Sequence, residues 1–570
     1  MFKIINFRFL LYLGIFYQLV ISTNVTAQTP VPPIVQPNID RFPQPIPPTV
    51  PLPNRPPELN PTPPVEPNLT PSTVLIPVQK INVVGATQLK PADLQKITQV
   101  VEGKSVTLTE LQGVANAITQ LYLDRGFITS RAIVSQQSIV NGVVQIQAIE
   151  GSIESIEVQG LERLQAGYVR DRLQRGTQKP FNQNALEDQL RLLKSDPLLS
   201  ELEASLRPGT GSGQSILTVR LKESNSFTGF VGTDNYSSIS TGAERIGSVL
   251  SYRNVTGLGD ELSASYFRSF NGGSNAYDFN YRLPINGMNG TVQLRYAPSE
   301  SKITDPGVPN FTSSSNLAEI SYRQPLIRSS TEEFALSLGL AFQDGRILTN
   351  GAPFPAEFRG GADANGNTRT SILKFGQDYL TRDAQGAWAL RSQLNLGLNI
   401  GNATINPSPE ASGQFFSWLG QVQRAQRLGT NHLLIAQADL QLTSDSLFPA
   451  QQFTIGGGQS IRGYGQNARS GDNGFRLSVE DRIALQTDNL GNPTLQVVPF
   501  VDLGTVWNRA GNPTALTGKT FLSSVGVGAI YQPFSQLSVR IDYALPLVNF
   551  NQANESAKNQ VINFSAGYSF

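Results

Sequence analysis

The stretch LSVRIDYAL, residues 537–545, sets Leu537, Val539, Ile541 and Tyr543 on one side of an extended chain and Ser538, Arg540 and Asp542 on the other. Side chains alternate between the two faces of a strand, so this period of two reads as a β-strand that is apolar on one face and wet on the other. Outward from it the pattern recurs. VINFSAGYSF at 561–570 puts Phe564, Ala566, Tyr568 and Phe570 on one face, and GTVQLRYAPSE (290–300) and KTFLSSVGVGAIYQPF (519–534) behave alike. From about 225 to 570 helical periodicity is absent, and sixteen such segments, the first near 226 and the last near 561, are separated by Gly, Asn, Asp and Ser turns. That is about 22 residues per strand with its connection, which suits tilted spanning strands of about 9–11 residues with uneven loops. The expected fold of 225–570 is a 16-stranded antiparallel transmembrane β-barrel.

Composition agrees. Charged residues make up 15% of the chain, there are 51 Gly, and the apolar content is an ordinary 39%. A membrane barrel needs apolar residues on only one face of each strand. The formal net charge of +1 points to no nucleic-acid partner. There is no Cys and one His, His432. Zinc, iron–sulfur and Cys-nucleophile chemistry therefore lose their usual ligands, and no metal or cofactor is expected.

Lys3 and Arg8 precede an apolar run from Phe9 to Ile21, and Val25-Thr26-Ala27 before Gln28 fits a cleavage site. Residues 1–27 are expected to be a signal peptide. An exported chain with no second helical span and a run of alternating strands belongs in an outer membrane. Residues 28–77 hold about half of the prolines and read as an extended tether.

Between tether and barrel the order β-α-α-β-β occurs twice, at 78–151 and 152–224. In the first copy Leu108, Leu111, Val114, Ile118 and Leu121 recur at helical spacing. The strand-and-Gly openings of the two copies, INVVG and IEVQG, match closely, which marks an internal repeat. The fold class is thus two α+β repeats followed by the barrel. Sheets with an exposed edge suit capture of an extended peptide.

Enzyme signals fail on inspection. GKS at 103–105 lacks the first Gly of a phosphate loop, since position 98 is Thr98, and DANGNT at 363–368 has Thr368 where a calcium loop needs Gly. A Ser-His-Asp triad would have to use His432, which opens a predicted strand beside a turn. No catalytic residue is assigned and no enzyme is expected.

One long connection, 446–473, carries GGGQSIRGYGQ at 456–466. Folded outward, Arg462 is a solvated charge. Folded into the lumen, its guanidinium needs a carboxylate, best held by both oxygens. PFVDLGTVWN supplies one: Phe500, Asp502 and Gly504 share a face, while Val501, Leu503 and Trp507 form an opposite face apolar enough for lipid. Glu480 or Asp481 in RLSVEDRIAL is a second option.

Two tandem β-α-α-β-β units, a sixteen-strand barrel, the R-G-Y loop ahead of FVDLG, and a terminal aromatic strand resemble the BamA/TpsB superfamily of outer-membrane insertases and translocators. The count of two units, called POTRA domains there, resembles the TpsB transporters of two-partner secretion (haemolysin secretion/activation type). The resemblance covers roughly 78–570. It implies that Ile461, Arg462, Gly463 and Tyr464 form a lumen loop motif whose Arg meets Asp502, within an anchoring strand motif of Phe500, Asp502 and Gly504. It also implies that Phe564, Tyr568 and Phe570 belong to a C-terminal signal read by the barrel assembly machinery. The implied setting is the outer membrane of a Gram-negative-type cell, among outer-membrane lipid, with the POTRA units in the periplasm. The implied function is capture and export of an unfolded, TpsA-like secreted exoprotein. The family usually places a plug helix ahead of the POTRA units, whereas residues 28–77 are Pro-rich and show no helical pattern. A BamA-like assembly factor is the alternative from the same superfamily; a passive porin and a barrel-borne surface enzyme are alternatives from other classes.

Overall fold

The computed structural model describes residues 74–137, 139–303, 310–353, 361–513, 516, 519–548 and 560–570. The expected signal peptide, and all of the Pro-rich tether except its last four residues, lie outside the described residues. The first unit runs β1 (Leu75–Val78), β2 (Lys80–Val84), α1 (Pro91–Thr98), β3 (Lys104–Thr107), α2 (Leu108–Leu123), β4 (Arg131–Val134) and β5 (Val143–Ile149). Its sheet has the order β2-β5-β4, and β1 pairs with β3 in a separate two-stranded ribbon. That ribbon corrects the expected boundary at 78, because β1 already begins at Leu75. Pro77 is tolerated there because β1 pairs along one edge only, opposite Ser105 at this position.

The second unit runs β6 (Ser152–Gln159), α3 (Ala166–Leu173), α4 (Gln183–Lys194), β7 (Leu199–Pro208) and β8 (Gln214–Glu223), with sheet order β6-β8-β7. In each three-stranded sheet the first strand, β2 or β6, lies at one edge and parallel to the last, β5 or β8. Each opening strand ends in a left-handed glycine, Gly85 (φ 83°) and Gly160 (φ 84°). A Cβ there would sit 2.5 Å from the Ala148 carbonyl oxygen or 2.2 Å from that of Leu221. The matched INVVG and IEVQG openings therefore record one backbone requirement met twice. Helix α2 starts on a capping box, Thr107 with Glu110, and buries Leu111, Val114, Ile118 and Tyr122. The second core centres on Phe181, Leu186, Leu190, Leu217 and Val219.

The barrel follows: β9 (Phe227–Asp234), β10 (Arg245–Arg253), β11 (Glu261–Ser269), β12 (Ser274–Pro284), β13 (Thr291–Lys302), β14 (Phe311–Arg328), β15 (Glu332–Thr349) and the two-residue β16 (Ala352–Pro353). Next come β17 (Asn367–Asp383), β18 (Gly386–Leu398), β19 (Phe416–Leu428) and β20 (His432–Thr443). A small hairpin, β21 (Phe453–Ile455) with β22 (Arg469–Gly471), interrupts the wall before β23 (Asn473–Thr487), β24 (Pro493–Trp507), β25 (Phe521–Phe534), β26 (Leu537–Pro546) and β27 (Ile562–Ser569). Apart from β16, sixteen strands form one closed antiparallel barrel, sealed by β27 on β9. Closure matters because an unpaired strand edge cannot face hydrocarbon. The last residue takes part: Phe570 N–H donates to the Gly229 carbonyl at 2.9 Å, and Phe570 O accepts from Gly229 N–H at 2.8 Å. Large apolar side chains on alternate positions, such as Ile541, Tyr543 and Leu545, are about half exposed on the outside. No helix among the described residues is long and apolar enough to cross a membrane.

The second unit sits on three successive hairpin turns at one mouth of the barrel. Gln165 N–H donates to Gly257 O at 2.8 Å, and Arg163 reaches Tyr252 Oη (2.8 Å) and Asn254 O (2.7 Å). Arg172 Nη2 donates to Asn289 Oδ1 at 2.9 Å, and Ser330 N–H donates to Asp188 Oδ1 at 2.8 Å. The Arg172 guanidinium also lies on the Tyr168 ring. Burial, with Asp196 beside it, raises the Tyr168 phenol above its usual range, so it stays a neutral donor to that carboxylate.

Candidate functional site

The connection from Thr443 to Asn473 leaves from the mouth opposite the docked repeats and folds back inside the barrel. Its hairpin β21–β22 seats Phe453 and Ile455 against Leu419, Val506 and Leu522, and Ile461 and Tyr464 join the same cluster. Two glycines make the fit possible. Gly463 takes φ 92°, a left-handed conformation that lets the chain turn along β26 beside Ala544. Gly504 lies under Ile461, where a Cβ would come 2.7 Å from Ile461 Cδ1.

Between them stands Arg462, 4% exposed. Its Nε donates to Asp502 Oδ2 at 2.7 Å and its Nη2 to Asp502 Oδ1 at 2.8 Å. The Arg462 backbone N–H also donates to Asp502 Oδ2, at 3.1 Å. This is a two-pronged guanidinium–carboxylate pair, which fixes direction as well as distance. Ser478 Oγ donates to Asp502 Oδ1 at 2.6 Å, and Arg462 Nη1 donates to Glu480 Oε2 at 3.0 Å. The guanidinium carbon lies 3.4 Å from the Phe500 ring centroid, within the range of a cation–π contact. Tyr464 is buried, and its hydroxyl donates to Ser523 O at 2.8 Å and accepts from Val548 N–H at 3.1 Å. Phe500, Asp502 and Gly504 all face inward, while Val501 and Trp507 are exposed outside.

The two acidic alternatives on β23 separate by parity. Glu480 faces the lumen and joins Arg462. Asp481 faces outward and pairs with His432, Nδ1 to Oδ2 at 2.8 Å. His432 therefore lies on the outer face of the barrel. The aromatic residues of the last strand also face outward. Phe564 is half-buried, Tyr568 and Phe570 are exposed, and the Phe570 ring is 6.2 Å from Phe227 on β9. Arg540 and Asp542, unassigned from the sequence, also belong to the Arg462 cluster. Both stand on the inward face of the 537–545 stretch, but parity gives a face and no partner. Among the described residues no group of acidic or His side chains could hold a metal ion.

A closed antiparallel barrel with an inward loop pinned by an arginine, and repeats docked at one mouth, defines an outer-membrane protein of the BamA/TpsB type. Residues 213–530 match the model of the haemolysin secretion/activation protein family ShlB/FhaC/HecB, and residues 76–151 match the ShlB-type POTRA domain. The chain belongs to this haemolysin secretion/activation family of TpsB transporters and resides in the outer membrane, with its POTRA region on the periplasmic side. Outer membrane transporter CdiB of Escherichia coli is 26% identical over 433 residues, 71% of this chain and 68% of that protein. Heme/hemopexin transporter protein HuxB of Haemophilus influenzae (strain 86-028NP) is 23% identical over 476 residues, 80% of this chain and 81% of its own. In fold, CdiB from Escherichia coli superposes with a TM-score of 0.68 at 22% identity, covering 91% of this chain and 94% of that one. BamA from Haemophilus ducreyi lacking POTRA domains 1–3 superposes with a TM-score of 0.54 at 16% identity, covering 86% of this chain and all of the other.

Proposed function

We propose that the protein captures one unfolded partner exoprotein in the periplasm through its POTRA units and passes it through the barrel lumen to the cell surface. The observation that carries this reading is the arrangement of the two ends of the barrel. The second α+β unit is held at the periplasmic mouth by Arg163, Arg172 and Asp188, and a buried arginine fixes a loop inside the pore. The exoprotein segment adds as a strand to an exposed sheet edge, where main-chain hydrogen bonds give affinity with little sequence demand. Arg462 holds the loop in one position during transport. The outward aromatic residues Phe564, Tyr568 and Phe570 contact outer-membrane lipid and present the strand read by the barrel assembly machinery. The chain acts as a pore and has no catalytic role.

Deleting residues 78–150 tests this reading. Secretion of the one partner should stop while a heat-modifiable barrel still inserts. Unchanged secretion would sink the capture role, and a general loss of other outer-membrane barrels would favour a BamA-like assembly factor instead.

A further inference from the structure

Arg540 and Asp542 stand two residues apart on the inward face of β26. Arg540 Nε donates to Asp542 Oδ2 at 2.7 Å, and its Nη2 donates to Glu480 Oε2 at 2.9 Å, three strands away. That same Glu480 oxygen accepts from Arg462 Nη1, and the other one, Oε1, accepts from Arg482 Nε at 2.9 Å. Three guanidinium groups (Arg462, Arg482, Arg540) thus face three carboxylates (Glu480, Asp502, Asp542), and the cluster is formally neutral. Asp542 is 1% exposed, yet its Oδ1 accepts no hydrogen bond. That idle oxygen lies 3.9 Å from Arg462 Nη1.

We propose that Arg540 and Asp542 are positioning residues for the inward loop: by keeping the cluster neutral they decide which carboxylates Arg462 occupies. Without Arg540, Asp542 becomes an uncompensated anion beside Arg462 and draws its guanidinium away from Asp502. Without Asp542, Arg540 keeps only Glu480 as a partner and competes with Arg462 for the same oxygen. The two losses have opposite charge and one consequence, a displaced loop. Removing both leaves two guanidinium groups against two carboxylates, so the seat of Arg462 on Asp502 and Glu480 returns. Interacting sites that act as one unit show this kind of non-additivity.

The chain has no cysteine, so Ser460→Cys places a single thiol beside the motif, at a position whose hydroxyl is buried. The rate of maleimide labelling in the purified full chain then reports the loop. Labelling should be slow in Ser460→Cys alone and roughly tenfold faster or more when Arg540→Gln or Asp542→Asn is added. It should be slow again with both added. A double variant that labels as fast as the faster single, or singles that stay slow, would overturn the proposal. Arg540→Lys keeps the charge and should label more slowly than Arg540→Gln; equal rates would count against a charge mechanism. Heat-modifiability establishes that each variant is a closed barrel. Since the role of the loop rests on the transport reading, secretion is measured alongside. A mobilised loop with normal secretion would refute the loop's role in transport and leave the positioning claim standing.

Discussion

The lumen has two walls built from the same chemistry with different consequences. On β12 to β17, ion pairs run across the sheet: Arg295 with Asp278 on the neighbouring strand at 2.6 Å, and Lys374 on β17 with Glu319 on β14, across β15, at 2.6 Å. Their side chains keep partial access to water, 26% for Lys374 and 18% for Glu319. On β23 to β26 the inward loop covers the wall, and Arg462 and Asp502 fall to 5% and 0%. Water-reached pairs contribute about 0.2–1 kcal/mol each, because solvent competes for both partners. Removing one partner of a buried pair costs about 3–5 kcal/mol, since the other is left charged without compensation. The loop, by excluding water, turns one lumen ion pair into a latch and leaves the opposite pairs as wall polarity.

The largest effect should come from evicting the loop without touching a charge. Gly504→Val pushes a side chain into Ile461 and toward the Phe475 carbonyl oxygen, 2.8 Å from the Cβ position. Secretion should fall to background while the closed barrel is still recovered from the outer membrane; normal secretion would show that the loop's seat is dispensable. Next is Arg462→Ala, which leaves Asp502 buried and unpaired. At about 1.4 kcal/mol per decade, the seated population should drop roughly a hundredfold or more, read as loss of secretion with assembly largely intact. Arg462→Lys should rescue poorly, because an ammonium cannot reproduce the fork to both Asp502 oxygens. The smallest effect belongs to the other wall. Lys374→Gln removes a water-reached pair, and secretion should stay within about twofold of the parent. A loss as deep as that of Arg462→Ala would erase the distinction between the walls.

The barrel was legible because period-two alternation needs only local sequence. Strands expected near 432, 474 and 537 begin at His432, Asn473 and Leu537. The repeats were legible through Gly85 and Gly160, where the backbone admits little else. What lay beyond the sequence was lateral. Parity put Arg540 and Asp542 in the lumen, but only the curvature of the closed sheet brings β26 within reach of Glu480 on β23. The docking turns gave no signal either, since a carbonyl such as Asn254 O, which accepts from Arg163, is offered by any residue type. The ribbon of β1 with β3 was missed because Pro77 reads as a linker residue until its single pairing edge is seen.

If the loop is held as its contacts suggest, Arg462 and Asp502 act as one latch inside the barrel. Its most direct test is a double-mutant cycle on secretion, with barrel amount held as the control: Arg462→Ala, Asp502→Ala and the two combined. The double variant should be little worse than either single, because each already breaks the same contact and the double leaves neither charge stranded. Fully additive losses would contradict the latch.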